Sequence, residues 1–451
     1  MFMFIYLCIT TVAGAVEFTP PFDINADSIY LVNLDTDTVI YQKNAELEQM
    51  PSTLVNIMVA AIVLEECENP DAVTITADSS LFAEFDEYEH PDDLRFCDIQ
   101  NGDVLTVTDY LYAMMLTSSC EAANILAHHF GNQNISAFVE KMNKKAKEVG
   151  AESTVFCNPH GLYDPKQVTT AKDIAVITQY ALKVPRFEEI ATAEDYELKS
   201  QSSGNTHSNP WRISHSNIMM SAASDFYLFG VEGIKTGNLQ ISGRNLITLG
   251  SYDGIRYLLV LLNAPFYDED GDAKYYHLID ACNIMEWVFE NFEYKDLLAS
   301  AEEVAEIKVS DSDGSGYVLV KPKEDFSTLW YNEIDLTSIK RNTKLYENVS
   351  APVKKGQKLG EIELKLSDEV IANIDLVAAS DVDRSFVKFN LSTAKDFFGS
   401  EWMTRAIIIS AVLILFYLSV CVWAFIYAKK NPKGRLSNKK VVKKLYGKKR
   451  K

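Results

Sequence analysis

Residues 406–428 form a run of 23 positions without a charge, and 12 of the 23 residues that follow are Lys or Arg, with no acid among them. An apolar run of about 20 residues matches the hydrocarbon thickness of a bilayer, and basic flanks stay on the cytoplasmic side. A core helix is the competing reading of such a run, but the polybasic stretch directly after it argues for a span. The chain is therefore expected to cross a membrane once, at 406–428, with residues 16–405 outside and a basic tail, 429–451, in the cytoplasm. That tail either enforces topology alone or also touches anionic lipid. At the other end, residues 1–11 are apolar and Ala13-Gly14-Ala15 offers small residues in a cleavage pattern. Residues 1–15 are thus expected to be a signal peptide, one that lacks the usual basic start.

The formal charge of −20 conceals an uneven distribution. The tail takes 12 of the 43 basic residues, which leaves 31 against 63 acids in the rest of the chain. So acidic a body excludes nucleic acid as a partner, because phosphates demand positive charge. With 47% hydrophobic residues, the chain can bury one large core and a smaller one. Of seven cysteines, Cys8 falls in the signal and Cys421 in the span; five remain outside, an odd number without metal-binding spacing. Cys67 and Cys97 are candidates for a pair. No metal and no cofactor is expected.

The exported part reads as α+β. Residues 29–34 and 38–41 are short strands around a turn, and 54–66 is an apolar helix for which Ser52 or Thr53 would be the cap. Residues 108–116 and 121–130 are helical, separated by Thr117-Ser-Ser-Cys120. Residues 136–149 are an amphipathic helix and 171–182 another helix. Around 233–236, 244–249 and 256–262 lie successive antiparallel strands, and 275–292 is a closing helix. From about 301 to 391, short strands and turns suggest a small β module.

Lys235-Thr236-Gly237 carries the chemistry. On an edge strand, the lysine and the hydroxyl can hold a carboxylate, and the glycine leaves room for close approach. Read with Phe138-Val-Glu-Lys-Met-Asn-Lys-Lys-Ala-Lys-Glu-Val-Gly150, Phe156-Cys-Asn-Pro-His-Gly-Leu162, Thr169-Thr-Ala-Lys-Asp173 and Val231-Glu-Gly-Ile-Lys-Thr-Gly237, the chain resembles the D-alanyl-D-alanine carboxypeptidases. These are the low-molecular-mass penicillin-binding proteins of peptidase family S11. The resemblance implies a penicillin-binding, β-lactamase-like transpeptidase domain over 16–298, a β-rich stalk over 299–395 and a membrane anchor in a bacterial envelope. It also implies peptidoglycan stem peptides or β-lactams as ligands.

The family's division of labour needs a serine at a helix start, a lysine three residues on, a Ser-x-Asn turn, and Lys-Thr-Gly. Here Pro51-Ser-Thr-Leu-Val-Asn-Ile57-Met58 puts Thr53 at the nucleophile position and Asn56 at the lysine position. Taking Ser52 as nucleophile puts Val55 there instead. Neither register supplies a base, since an amide is no proton acceptor near neutral pH and valine has no polar atom. Ser118-Ser119-Cys120 keeps the serine of the second motif and loses its amide to Cys120, which is read as a small core residue rather than a nucleophile. Lys235, Thr236 and Gly237 are intact as a substrate-binding edge. His160, and His128 with His129, are read as structural. The expectation is a family member whose hydrolysis is impaired or silent, with an active carboxypeptidase using Thr53 or Ser52 and an unrecognised base as the alternative. A β-lactamase is disfavoured, since it needs the same lysine and a second base.

Overall fold

The structure, a computed structural model, describes residues 18–202, 207–208, 210–367 and 369–430. The expected signal peptide and most of the basic tail lie outside the described residues. The chain divides into two compact units, one built from 1–295 with 328–336 and the other from 296–327 with 337–451.

The first unit is organised on a five-stranded sheet. Its strands are β1 (Ser28–Asn33), β2 (Val39–Lys43), β3 (Val231–Leu239), β4 (Gly243–Tyr252) and β5 (Ile255–Ala264), in the order β2-β1-β5-β4-β3. All neighbouring pairs are antiparallel. Strand alternation sends side chains to opposite faces, and both faces are apolar. Leu258, Val260 and Leu262 join a core of helices on one side, while Tyr257, Leu259 and Leu261 pack with Leu278, Ile284, Met285 and Val288 on the other. Those last four belong to the closing helix, Tyr276–Asn291.

The helical layer contains α1 (Asn56–Glu66), α2 (Val107–Thr117), α3 (Cys120–Phe130), α4 (Ile135–Val149) and α5 (Ala171–Ala181). From Asn56 to Val63 every residue of α1 is buried, as befits a helix that is apolar on all sides. It reaches solvent only where Glu65 and Glu66 meet Lys145 and Lys141 of α4. Side chains cap the others: Thr106 and Asp109 form a capping box on α2, Ser119 caps α3, Asn134 caps α4 and Thr170 caps α5. For α1 the expectation of a hydroxyl cap is corrected. A 3-10 turn, Ser52–Val55, leads into it without a side-chain cap bond. The Thr53 hydroxyl is used elsewhere.

In the second unit, Ala305–Lys308, Tyr317–Pro322, Glu369–Ala378, Lys358–Leu366 and Ile339–Leu345 form a second five-stranded antiparallel sheet in that order. The helices Phe386–Gly399 and Glu401–Lys430 follow. The second of these has 30 residues and is long and apolar enough to cross a membrane. Cys67 and Cys97 are both free thiols, so the suggested pair is not made.

Candidate functional site

Three elements converge on one hydroxyl. The turn before α1 delivers Thr53, the link between α2 and α3 delivers Ser118, and β3 delivers Lys235 and Thr236. Ser118 closes α2 in the left-handed region, at φ 62°, with Ser119 next to it free to cap α3. A side chain other than glycine pays about 1–2 kcal/mol for that conformation, and the reward is a hydroxyl aimed between the two helices and β3.

Thr53 Oγ1 lies 2.9 Å from the Thr236 carbonyl oxygen and 3.3 Å from Ser118 Oγ. One hydroxyl hydrogen serves one partner at a time, and the carbonyl is both nearer and able only to accept. The Lys235 ammonium donates to Ser118 Oγ, so the amine closest to the reaction in bonding terms is separated from Thr53 by a second hydroxyl. Lys235 is fully buried, and loss of water pushes its amine down to about 7, with the nearby Cys120 sulfur acting weakly the other way. Thr236 Oγ1 donates to Ser216 Oγ at 2.7 Å.

Ser52 is excluded from this cluster. Its φ is 52°, and its hydroxyl is buried without a hydrogen-bond partner. It is wedged between two glycines. A Cβ on Gly237 would meet Ser52 Cβ and Oγ at 3.2 Å, and one on Gly161 would strike the Ser52 carbonyl oxygen at 2.3 Å. Gly161 also has φ 81°, so both space and backbone favour glycine there.

Asn56 is bonded to another loop rather than to Thr53. Its Nδ2 donates to the Pro159 carbonyl at 2.9 Å, and its Oδ1 is buried without a partner. The only lone-pair group it could offer is an amide oxygen, which does not take up a proton near neutral pH. Cys120 sits in an apolar cluster with Phe85, Leu162 and Leu239, where burial pushes its thiol up to about 12. A thiol held protonated is inert as a nucleophile. His160 is neutral as well, lowered to about 3 by burial, and its Nδ1 accepts from the Leu162 main chain. No cluster of metal-ligating side chains occurs among the described residues.

Sequence spacing located Thr53, Asn56, Ser118, Cys120, Lys235, Thr236 and Gly237, and the fold brings Thr53, Ser118, Lys235 and Thr236 into one cluster with Gly237 beside it. It missed Ser216, the Pro159 carbonyl and His215, whose Nε2 lies 3.3 Å from the Ile234 carbonyl. No spacing rule marks them, because each is defined by a contact across the fold.

The chain resembles known proteins over most of its length. The D-alanyl-D-alanine carboxypeptidase family model matches residues 15–266, and the penicillin-binding protein 5 C-terminal domain model matches 292–384. The chain is 26% identical to D-alanyl-D-alanine carboxypeptidase DacF of Bacillus subtilis over 378 residues, covering 82% of this chain and 90% of that one. It is also 26% identical to DacA of Haemophilus influenzae over 373 residues, 81% of this chain and 86% of the other. Among solved structures, penicillin-binding protein 6B from Escherichia coli superposes with a TM-score of 0.59 at 21% identity, covering 80% of this chain and 97% of that chain. Penicillin-binding protein 5 from Haemophilus influenzae gives 0.57 at 22%, covering 81% and 100%. The chain therefore belongs to the D-alanyl-D-alanine carboxypeptidase family of low-molecular-mass penicillin-binding proteins.

Proposed function

We propose that this chain is a membrane-anchored envelope protein that recognises the D-Ala-D-Ala end of peptidoglycan stem peptides, and β-lactams in the same cleft, with acylation impaired. The observation that carries the reading is position 56. The family needs an amine one helical turn after the nucleophile, and here a buried amide bonded to Pro159 occupies the place. The Thr53 hydrogen has a main-chain carbonyl as its nearest acceptor, which cannot carry a proton onward. Loss of a general base costs about 100- to 10,000-fold. Lys235, Thr236 and Gly237 keep the means to hold a terminal carboxylate. The helix Glu401–Lys430 supports single-pass anchoring with the cleft outside and the tail in the cytoplasm.

One observation favours a second reading, an active carboxypeptidase. Ser118 joins Thr53 to an amine that is half deprotonated near neutral pH, so a proton could pass from Thr53 through Ser118 to Lys235. The 3.3 Å spacing is long for a hydroxyl pair, and the relay competes with the 2.9 Å contact to Thr236. The two readings separate in an assay of D-alanine release from a D-Ala-D-Ala peptide by the full-length chain in detergent. Saturable peptide binding with release at the level of a Thr53→Ala control supports the first. Release abolished by Thr53→Ala and by Lys235→Ala supports the second.

A further inference from the structure

Near the start of β4, Arg244 lies across the register from Asn238, the residue after Gly237. Its guanidinium sits 4.6 Å from the ring centres of both Phe266 and Tyr275. Its Nε is enclosed without a hydrogen-bond partner, and the groups that act on its charge are Tyr275 and Tyr267 rather than an acid. The ring contacts continue on either side. Tyr267 lies 6.3 Å from Phe266, and Phe226 lies 5.9 Å from Tyr275, which joins five flat groups into one continuous patch. Tyr267 and Tyr275 are 55% and 48% exposed, and Phe226, Arg244 and Phe266 are partly buried. Apolar residues scattered singly over a surface need no explanation, whereas a contiguous patch marks a binding surface.

The loop that carries these rings is closed on itself. The Lys274 N–H donates to the Phe266 carbonyl at 2.9 Å, the Gly271 N–H donates to the Asp268 carbonyl at 3.0 Å, and Asp268 Oδ1 accepts from the main chain of Asp270 and Asp272. Rings held in place beforehand lose little freedom when a ligand arrives. The loop also decides what that ligand can be. Asp268, Glu269, Asp270 and Asp272 against Lys274 leave it acidic, which repels anionic lipid and phosphate polymers. A neutral partner with flat apolar faces and carbonyl acceptors suits the patch. Pyranose rings stack on phenol faces, and an acetamido oxygen accepts from a guanidinium, which carries only donors. We propose that Arg244, Phe266, Tyr267 and Tyr275 form a platform for an N-acetylated hexosamine glycan, the polymer to which stem peptides are joined. This inference rests on the ligand reading given above and extends it from the peptide to the sugar.

The test is calorimetry on the full-length chain in a detergent without a sugar headgroup, with chitopentaose, cellopentaose and a D-Ala-D-Ala peptide as probes. Chitopentaose is expected to bind, and to bind about tenfold more weakly to Y267A and to Y275A. Cellopentaose lacks the acetamido group and is expected to bind about tenfold more weakly than chitopentaose. That ratio should fall to about twofold in R244K, which keeps the charge and loses the planar fork. Chitopentaose carrying a diazirine, photolysed on the unmutated chain and mapped by mass spectrometry, is expected to label residues 266–275, a result that needs no variant to fold. Peptide binding without chitopentaose binding would overturn the platform and leave the ligand reading intact. Chitopentaose binding without peptide binding would overturn the ligand reading while the platform stands. Labels only elsewhere, or affinities unchanged in Y267A and Y275A, would overturn the assignment to this patch. A dimer that Y267A dissolves and chitopentaose leaves intact would give the patch to a second copy of the chain instead.

Discussion

The proposed impairment of acylation rests on position 56. Asn56 contributes nothing that can hold a proton, and one of its polar atoms lacks a partner. Replacing Thr53 by Ser and Asn56 by Lys together is expected to raise the rate of β-lactam acylation by at least about 100-fold over the unmodified chain, measured by stopped-flow or gel labelling. No gain would mean that the amine cannot reach the hydroxyl past Pro159. If Lys235 holds the ligand carboxylate as proposed, it is expected to set the pH dependence of recognition. Its amine loses its proton near 7 in the free protein, and a bound carboxylate holds the proton on, so affinity falls as pH rises through that value. The drop is at most about tenfold per pH unit. Titration of peptide binding between pH 6 and about 9 checks it, and a flat profile would contradict a carboxylate held by Lys235. His160 and His215 stay neutral throughout this range, lowered to about 3 and about 4 by burial, so they do not mask the effect. Residue spacing made Thr53, Ser118 and Lys235 legible from the sequence alone. It could not reveal that Lys235 bonds Ser118 rather than solvent, since that follows from burial created by three separate elements.

The elements meet where side chains are smallest. β3 and the loop carrying Gly161 close on Ser52 from two sides, which is why the turn before α1 keeps its place without a side-chain cap. The expected cap failed for a physical reason: Thr53 cannot both bond the first turn of α1 and point its hydroxyl at Ser118. On α2, α3, α4 and α5 the capping side chains are free to cap because none of them is needed in the cleft. Gly161→Ala is expected to destabilise the first unit by about 3 kcal/mol, through a main-chain clash together with an unfavourable φ. Gly237→Ala meets atoms at 3.2–3.3 Å that need to give only slightly, and should cost about 1 kcal/mol. Thermal unfolding of both variants tests the order, and a Gly237 variant that unfolds earlier than the Gly161 variant would contradict the packing described here.

Across the whole molecule, charge and length divided the chain before any motif was read. The five strands of the main sheet, α1 to α5 and the closing helix were legible because their apolar patterns are long, whereas short elements such as Thr74–Thr76, Asp195–Leu198 and Trp211–Ser214 leave too few residues to show a period. The second sheet was legible only as alternating short strands, because the pairing that closes it, Tyr317–Pro322 with Glu369–Ala378, joins strands far apart in sequence. Glu401–Lys430 predicts that the full chain stays with membranes through high salt and alkaline carbonate and is released by detergent. Release by salt alone would reduce the anchor to the basic residues. The central claim, recognition without acylation, meets its most direct test in one labelling experiment. Full-length protein is incubated with a fluorescent penicillin, denatured, and its intact mass recorded. The expected result is no covalent adduct on the unmodified chain under conditions where the Thr53→Ser, Asn56→Lys variant is labelled. A stoichiometric adduct mapped to Thr53 of the unmodified chain would contradict it and would make the route through Ser118 to Lys235 the working mechanism.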